Sequence, residues 1–292
     1  MKKKMTLMMA GVLAVGILAT GCGNKNAETT ADTAAETTTK ATGESKVDGE
    51  TAAAAGERTT FTVGFDASFP PYGYQENGEY VGFDLDLAQE VCDRNGWELV
   101  KTPIDWDAKD MELNSGAIDC IWNGFTINGR EDAYTWSEPY IDNTQVFAVK
   151  KEGDITSAAD LAGKIVLVQA DSSALAALKD EENPEIKALA DSFGELIEVQ
   201  EYESALMELE AGSADAVAMD EGVARAKMSK NDNITILEDV ISKEQYGIGF
   251  KLGNEELRDQ VWNTLLEMEA DGTVDEIADK YDINKDNICI GE

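Results

Sequence analysis

Two stretches of the chain, Met111-Glu112-Leu113-Asn114-Ser115-Gly116 and Met207-Glu208-Leu209-Glu210-Ala211-Gly212, lie 96 residues apart. After two intervening residues each runs into an aspartate and a strand-forming segment, Asp119-Cys120-Ile121-Trp122 in the first and Asp215-Ala216-Val217-Ala218 in the second. Trp106 falls opposite Tyr202 at the same spacing. A second pair of segments, Val63-Gly64-Phe65-Asp66-Ala67-Ser68 and Val168-Gln169-Ala170-Asp171-Ser172-Ser173, matches in the same order. A repeated helix–turn–strand unit predicts two lobes of like topology. From Phe61 onward apolar strands alternate with amphipathic helices, which is an α/β pattern. Phe61–Phe65 reads as a strand, and Phe83, Leu87 and Val91, with Ala88 and Cys92, fall on one face of a helix that Asp84 or Asp86 caps and Gly96 stops. Ligands of parallel α/β sheets sit beyond the carboxyl ends of the strands, so Asp66, Asn123, Asp171 and Asp220 are expected to face a shared cleft.

Composition narrows the chemistry. The 292 residues carry 24 Lys and Arg against 58 Asp and Glu, a formal net charge of −34, and no histidine. Phosphate recognition needs clustered basic residues, so no nucleic-acid partner is expected. Without imidazole there is no Ser-His-Asp or Cys-His triad and no His-ligated zinc. Asp282-Ile283-Asn284-Lys285-Asp286 begins like a calcium loop but has Asn287 where the turn needs glycine. Gly247, Gly249 and Gly253 lack the dinucleotide spacing, and there is no P-loop, so no cofactor or metal is expected and the chain itself does not hydrolyse ATP.

Lys2, Lys3 and Lys4 precede an uncharged run from Met5 to Thr20, too short to span a bilayer comfortably but suited to an export signal. Its end, Leu18-Ala19-Thr20-Gly21-Cys22, resembles the lipobox of bacterial lipoproteins, which implies removal of residues 1–21 and a lipid (palmitate) on Cys22. A plain secretory signal with an incidental cysteine is the alternative. Residues 22–58 read as a flexible tether rich in Thr, Ala, Glu, Gly and Lys, with no aromatic residue and too little apolar surface to offset ordering entropy. Cys92, Cys120 and Cys289 then allow at most one disulfide, and Cys92 and Cys120 fit buried thiols better.

Three ordered stretches carry a resemblance: Gly64-Phe65-Asp66-Ala67-Ser68-Phe69-Pro70-Pro71-Tyr72, Val81-Gly82-Phe83-Asp84-Leu85-Asp86-Leu87-Ala88, and Gly124-Phe125-Thr126-Ile127-Asn128-Gly129-Arg130. Together they resemble the family 3 solute-binding proteins of bacterial amino-acid ABC importers, over about Phe61 to Ile283. The resemblance implies a periplasmic-binding-protein-like type II fold, two α/β lobes joined by two crossing hinge strands. The crossovers are expected near Asn143 to Val146 and Glu244 to Gly247, with 59–144 and 246–292 forming lobe 1 and 145–245 lobe 2.

It also implies roles. Arg130 matches the arginine that grips the ligand α-carboxylate, for which a planar guanidinium is chemically apt. Thr126 and Gly124 match contacts to the ligand backbone. Asp220 matches the carboxylate that pairs with the α-ammonium, a helix N-cap being its rival role. Ser172 and Ser173 match a helix start whose N–H groups receive the carboxylate, with plain N-capping as the alternative. Asp171 stands where the family often has glycine and is expected to add negative charge there. Phe69 and Trp106 match aromatic walls, although core packing is the ordinary fate of such residues. Asp66 between them suits a polar or basic side chain.

The function so implied is capture of a free L-amino acid by hinge closure and delivery to an ABC permease with a separate ATPase. The expected protein is a lipid-anchored monomer on the extracellular face of the cell membrane, or in the periplasm if the source has an outer membrane. The alternatives are an extracytoplasmic sensor, which usually continues into a membrane or signalling segment that does not follow Glu292, and a dehydratase-like enzyme, for which Asp66, Asp171 or Glu221 would serve as general acid or base.

Overall fold

A computed structural model of the chain describes residues 58–291. The expected signal (1–21), Cys22 and the tether as far as residue 57 lie outside the described residues. Arg58, which the sequence assigns to the tether, belongs to the folded part. Its guanidinium pairs with Asp119 at 2.9 Å and lies 5.9 Å from the centre of the Trp97 ring. An arginine can lay its stem on apolar surface while its fork finds a carboxylate, which is why a polar tail residue docks here.

The chain opens with β1 (Thr60–Phe65), a small hairpin sheet of β2 (Ser68–Phe69), β3 (Gly73–Glu76) and β4 (Glu79–Val81), and helix α1 (Phe83–Asn95). Then follow β5 (Glu98–Pro103), a 3-10 turn at Trp106–Ala108, α2 (Lys109–Ser115), β6 (Cys120–Thr126), β7 (Thr135–Trp136) and the long β8 (Ile141–Lys150). The second lobe comprises β9 (Ile165–Gln169), α3 (Ser173–Lys179), α4 (Pro184–Asp191), β10 (Glu195–Val199), α5 (Tyr202–Ala211), β11 (Ala216–Asp220) and α6 (Glu221–Met228). Strand β12 (Ile234–Phe250) returns to the first lobe, which α7 (Glu255–Asp271) and α8 (Thr273–Lys280) complete.

One hydrogen-bonded path, β10-β9-β11-β8-β12-β6-β1-β5, runs through both lobes. At its two ends β1 lies parallel to β5 and β6, and β9 parallel to β10 and β11. In the middle β8 and β12 pair antiparallel, with Asn143 opposite Glu244 and Ile141 opposite Tyr246, which is where the crossovers are expected from sequence. Apolar side chains of β1, β6 and α1, among them Phe61, Phe65, Trp122, Leu87 and Val91, fill the first core, while Val166, Val168, Leu175 and Leu178 pack in the second lobe.

The sequence repeat is a structural repeat. Gly116 and Gly212 end α2 and α5 in the left-handed conformation, φ 79° and 81°, a geometry glycine adopts without a Cβ penalty. Each donates its N–H back into the preceding turn. Asp119 then accepts the Thr62 N–H at 2.8 Å, and Asp215 accepts the Ile165 N–H at 2.9 Å. One detail differs from the sequence match. Val63 lies beside Cys120 and Val166 beside Ala216, so the opening strands correspond at a spacing of 103, not the 105 of the matched strings. The slip is two residues, one full strand period, and therefore leaves the buried faces unchanged. It makes Gln169, rather than Asp171, the counterpart of Asp66.

Asp84 and Asp86 do not cap α1, whose N-cap position is Gly82. Asp84 is buried in the first turn, and its carboxylate accepts the Gly124 N–H and the Tyr140 hydroxyl, both at 2.8 Å. Asp86 pairs with Lys280 and accepts the Tyr281 hydroxyl at 2.8 Å. Cys92 and Cys120 are buried thiols, and burial pushes the Cys92 thiol up to about 12.

Candidate functional site

The carboxyl ends of β1, β6, β9 and β11 converge on one cleft between the lobes. Phe69, Trp106, Gly124, Thr126, Arg130, Gln169, Ser172, Ser173 and Asp220 line it. Gly124 sits at φ 57°, where a Cβ would fall 2.6 Å from the Phe69 ring, so glycine is required both for the turn and for the aromatic wall.

At one end of the cleft, the turn after β6 aims Arg130. Asn128 accepts the Gln245 N–H at 2.8 Å and pins the turn to β12, and the Arg130 N–H closes it on the Ile127 carbonyl at 2.9 Å. The Arg130 guanidinium lies 5.4 Å from the Phe125 ring centre and donates to the carbonyls of Asp171 (3.0 Å) and Thr126 (3.4 Å). Among the described residues it has no carboxylate partner.

Across from it stands the start of α3. Ser172 is an N-cap whose hydroxyl accepts the Leu175 N–H at 3.2 Å, so plain capping describes that side chain. Ser173 instead turns its hydroxyl inward, within hydrogen-bond distance of Thr126 (3.2 Å) and Gln145 (2.9 Å). Asp171 does not contribute a bare negative charge, contrary to the expectation from sequence. It has φ 55°, the conformation that explains a glycine preference at this position, and its carboxylate pairs with Lys109. Lys109 is buried, with its Nζ 5.1 Å from the Trp106 ring centre, and burial lowers its pKa against the pull of Asp171. A lysine at the start of a short helix reads as surface, and only its position three residues after Trp106 hints otherwise.

At the other end, Asp220 occupies the N-cap position of α6 but makes no side-chain cap. Its carboxylate instead accepts from Tyr246 (2.6 Å), Tyr202 (3.0 Å), Asn143 (2.9 Å) and Gln145 (2.5 Å). Burial first, and the charge of Glu244 second, raise its pKa to about 7. Asn143, Gln145 and Glu244, which the sequence places only on the crossover strands, are therefore site residues that sequence reasoning misses.

Asp66 is buried, and burial raises its pKa although Ser68 N–H (2.7 Å) and Gln169 (2.7 Å) donate to it. The bond to Gln169 joins the two repeat-related strand ends across the cleft. Asn123 accepts the Asp66 N–H at 2.9 Å and orients that strand end from behind rather than lining the cleft. Phe69 packs against Tyr72 and Tyr202, and Trp106 stands edge-on to Phe125, so both are walls with core contacts. Beside Trp106 a second cavity of about 330 Å³ is lined by Asp66, Asp105, Glu112, Glu201 and Gln200, among others, and by no lysine or arginine.

The lobes touch through Gln169–Asp66, Thr126–Ser173, Arg130–Asp171 and Lys109–Asp171, and the cleft between them holds only about 10 Å³ of free volume. Two α/β lobes on a pair of shared strands, closing over a cleft with a cation at one end and an acid at the other, define a hinged binding protein. The chain belongs to the bacterial extracellular solute-binding proteins, family 3, whose profile it matches over residues 61–284.

Several known proteins are similar to most of the chain. The L-cystine-binding protein TcyJ of Escherichia coli is 29% identical over 77% of this chain and 83% of its own. The ABC transporter arginine-binding protein 1 of the same organism is 28% identical over 78% and 92%. Among solved structures, an ABC uptake transporter substrate-binding protein from Streptococcus pneumoniae with bound histidine aligns with TM-score 0.71 at 31% identity, covering 76% and 92% of the two chains. An ancestral arginine-binding protein bound to glutamine aligns at 0.69 and 36%, covering 78% and 99%.

Proposed function

We propose that the protein is the substrate-binding component of an amino-acid ABC importer and captures one free L-amino acid between its lobes. The observation that carries this reading is the polarity of the cleft. Among the described residues, an arginine without a carboxylate partner faces one end and a buried aspartate without a cation faces the other, and the two ends suit the carboxylate and ammonium of a zwitterion. The assignments of Arg130, Thr126, Gly124, Ser173 and Asp220 to the ligand backbone, and of Phe69, Trp106 and Asp66 to its side chain, rest on that polarity and on the family. The names of the relatives, which bind cystine, arginine, histidine or glutamine, favour a polar or basic side chain, as does the acidic lining beside Trp106.

A cleft with room for at most about one water admits an amino acid only if the lobes part, so entry and release require hinge motion about β8 and β12. A zwitterion that bridges both lobes binds the closed form preferentially and shifts the equilibrium toward it. The lobe limits 59–144 with 246–292 and 145–245 place the exchange of lobes within these two strands. Lipid anchoring through Cys22 after loss of residues 1–21, an extracytoplasmic location, a monomeric state and delivery to a permease with its own ATPase complete the proposal. Binding rather than dehydratase-like chemistry is supported by the engagement of the candidate acids: Asp66 with Gln169, Asp171 with Lys109, and Glu221 with Arg225 at 2.8 Å.

Titration calorimetry with L-arginine, L-glutamine, L-histidine and L-cystine tests the reading. At least one is expected to bind with a dissociation constant in the micromolar range or below. No heat from any of the four, with a folded protein, would overturn it.

A further inference from the structure

Asp220 shares its end of the cleft with a second acid. Glu244, on β12, is 6% exposed against 4% for Asp220, and two amides clasp the pair. Asn143 Nδ2 donates to Asp220 Oδ1 (2.9 Å) and Glu244 Oε1 (2.8 Å), and Gln145 Nε2 donates to the same two oxygens at 2.5 and 2.8 Å. Glu244 Oε1 also accepts from Thr126 of the first lobe (2.9 Å) and Ser173 of the second (3.2 Å). Gln145 Oε1 is a buried acceptor with no hydrogen-bond partner. The pocket end therefore keeps one buried acceptor unsatisfied, and among the described residues neither carboxylate has a lysine or arginine partner.

The titratable groups that face the pair do not supply a cation. Among the described residues they are Tyr246 on the same strand, Tyr202 from α5 and Tyr72 ahead of β3; behind these tyrosines lie only further acids, Asp84 and Glu221 near Tyr72 and Asp66 near Tyr202. Arg130 lines the same cleft but directs its N–H groups to the Asp171 and Thr126 carbonyls. Two carboxylates bridged by shared donors in a buried site do not both stay ionised without a positive charge.

We propose that Glu244 and Asp220 together form a two-carboxylate seat for the ligand's cationic head, in which Asp220 holds a proton that the bound cation displaces to water. The inference rests on the amino-acid reading above and adds to it a specificity residue and a proton balance. The proton leaves one carboxyl oxygen for bulk water, the ammonium takes its place in the seat, and no covalent bond changes. Because Glu244 bonds to Thr126 and Ser173, filling the seat also fixes a residue that touches both lobes. Burial and the neighbouring Glu244 charge keep Asp220 protonated up to about pH 7, so the exchange falls within an accessible range.

The test is calorimetry at pH 6, 7 and 8 in two buffers of different ionisation enthalpy, on wild type, Glu244→Gln and Glu244→Asp. The probe is the tightest binder of L-arginine, L-glutamine, L-histidine and L-cystine, with its own titration subtracted. Wild type is expected to release close to one proton at pH 6, and its affinity to rise about tenfold by pH 8. Glu244→Gln is expected to bind about tenfold more weakly at pH 8, with less proton release at pH 6 and a shallower pH profile than wild type, and Glu244→Asp to recover part of both. Pair-independent behaviour, meaning wild-type affinity and proton release in Glu244→Gln, would reduce Glu244 to packing and overturn the proposal. So would a wild-type affinity that does not change with pH, a readout that needs no variant. Absence of binding by all four probes overturns the amino-acid reading itself, and the seat with it.

Discussion

Asp119 in the first lobe and Asp215 in the second play the same part, since each follows a helix closed by a left-handed glycine and accepts a backbone N–H from the opening strand of its lobe. On either side of these aspartates the equivalence ends. Gly124 corresponds to Asp220 and Trp106 to Tyr202, yet Gly124 makes room for an aromatic wall while Asp220 is an acid held by two tyrosines. Trp106 faces the cleft, and Tyr202 is buried with its hydroxyl on Asp220. The duplicated part is thus the frame that puts strand ends at a cleft, and the diverged part is what the strand ends present. A cleft built from two like lobes has unlike ends, as a ligand with a carboxylate and an ammonium requires.

The largest effect is expected where the lobes differ. Arg130→Ala and Asp220→Ala should each weaken amino-acid binding by about thirtyfold to several thousandfold in calorimetry, with the melting curve nearly unchanged for Arg130→Ala, since a partner lost from a buried charge pair costs about 2–5 kcal/mol. Affinity within a few-fold of wild type would remove the residue from the site. Gly124→Ala comes next. A Cβ at φ 57° against Phe69 should destabilise the fold by about 1–3 kcal/mol in denaturant titration and also weaken binding. An unchanged melting curve would show that the wall gives way.

Where the lobes agree, the effects should agree. Asp119→Ala and Asp215→Ala each leave a backbone N–H without its carboxylate and should cost about 1–2 kcal/mol of stability, with unchanged affinity in the folded protein. A loss of binding in one of the pair alone would break the equivalence. A separate effect is on pH. Burial raises the folded-state pKa of Asp84 and Asp220 to about 7, so both hold a proton more tightly folded than unfolded. The stability they contribute is fully present below about pH 4 and is lost as pH rises through 7. The ligand-free melting temperature should therefore fall by a few degrees between pH 5 and 8, and by less in Asp84→Asn. A rise over that interval would contradict the assignment.

The frame was legible in sequence because repeat, strand and turn signals are local. Gly116, Gly212 and the β6 turn that carries Arg130 needed only their neighbours to be read. Lys109, Gln145 and Glu244 were not, because their roles arise when distant segments meet and a charged residue is by default solvated. One signal was present: in a strand alternate residues share a face, so Asn143 and Gln145 on one crossover, and Glu244 and Tyr246 on the other, had to point the same way. The same arithmetic applied to hydrogen-bonded pairs, rather than to matched letters, would have placed Gln169 opposite Asp66.

The central claim is that the unlike ends of the cleft read the two ends of one zwitterion. It is tested most directly by a calorimetric cycle that crosses Arg130→Ala and Asp220→Asn with the best-binding amino acid, its carboxamide and its analogue lacking the α-amino group. Arg130→Ala should lose its penalty when the carboxylate is already gone, and Asp220→Asn when the ammonium is gone. Penalties that stay the same for all three ligands would contradict the claim.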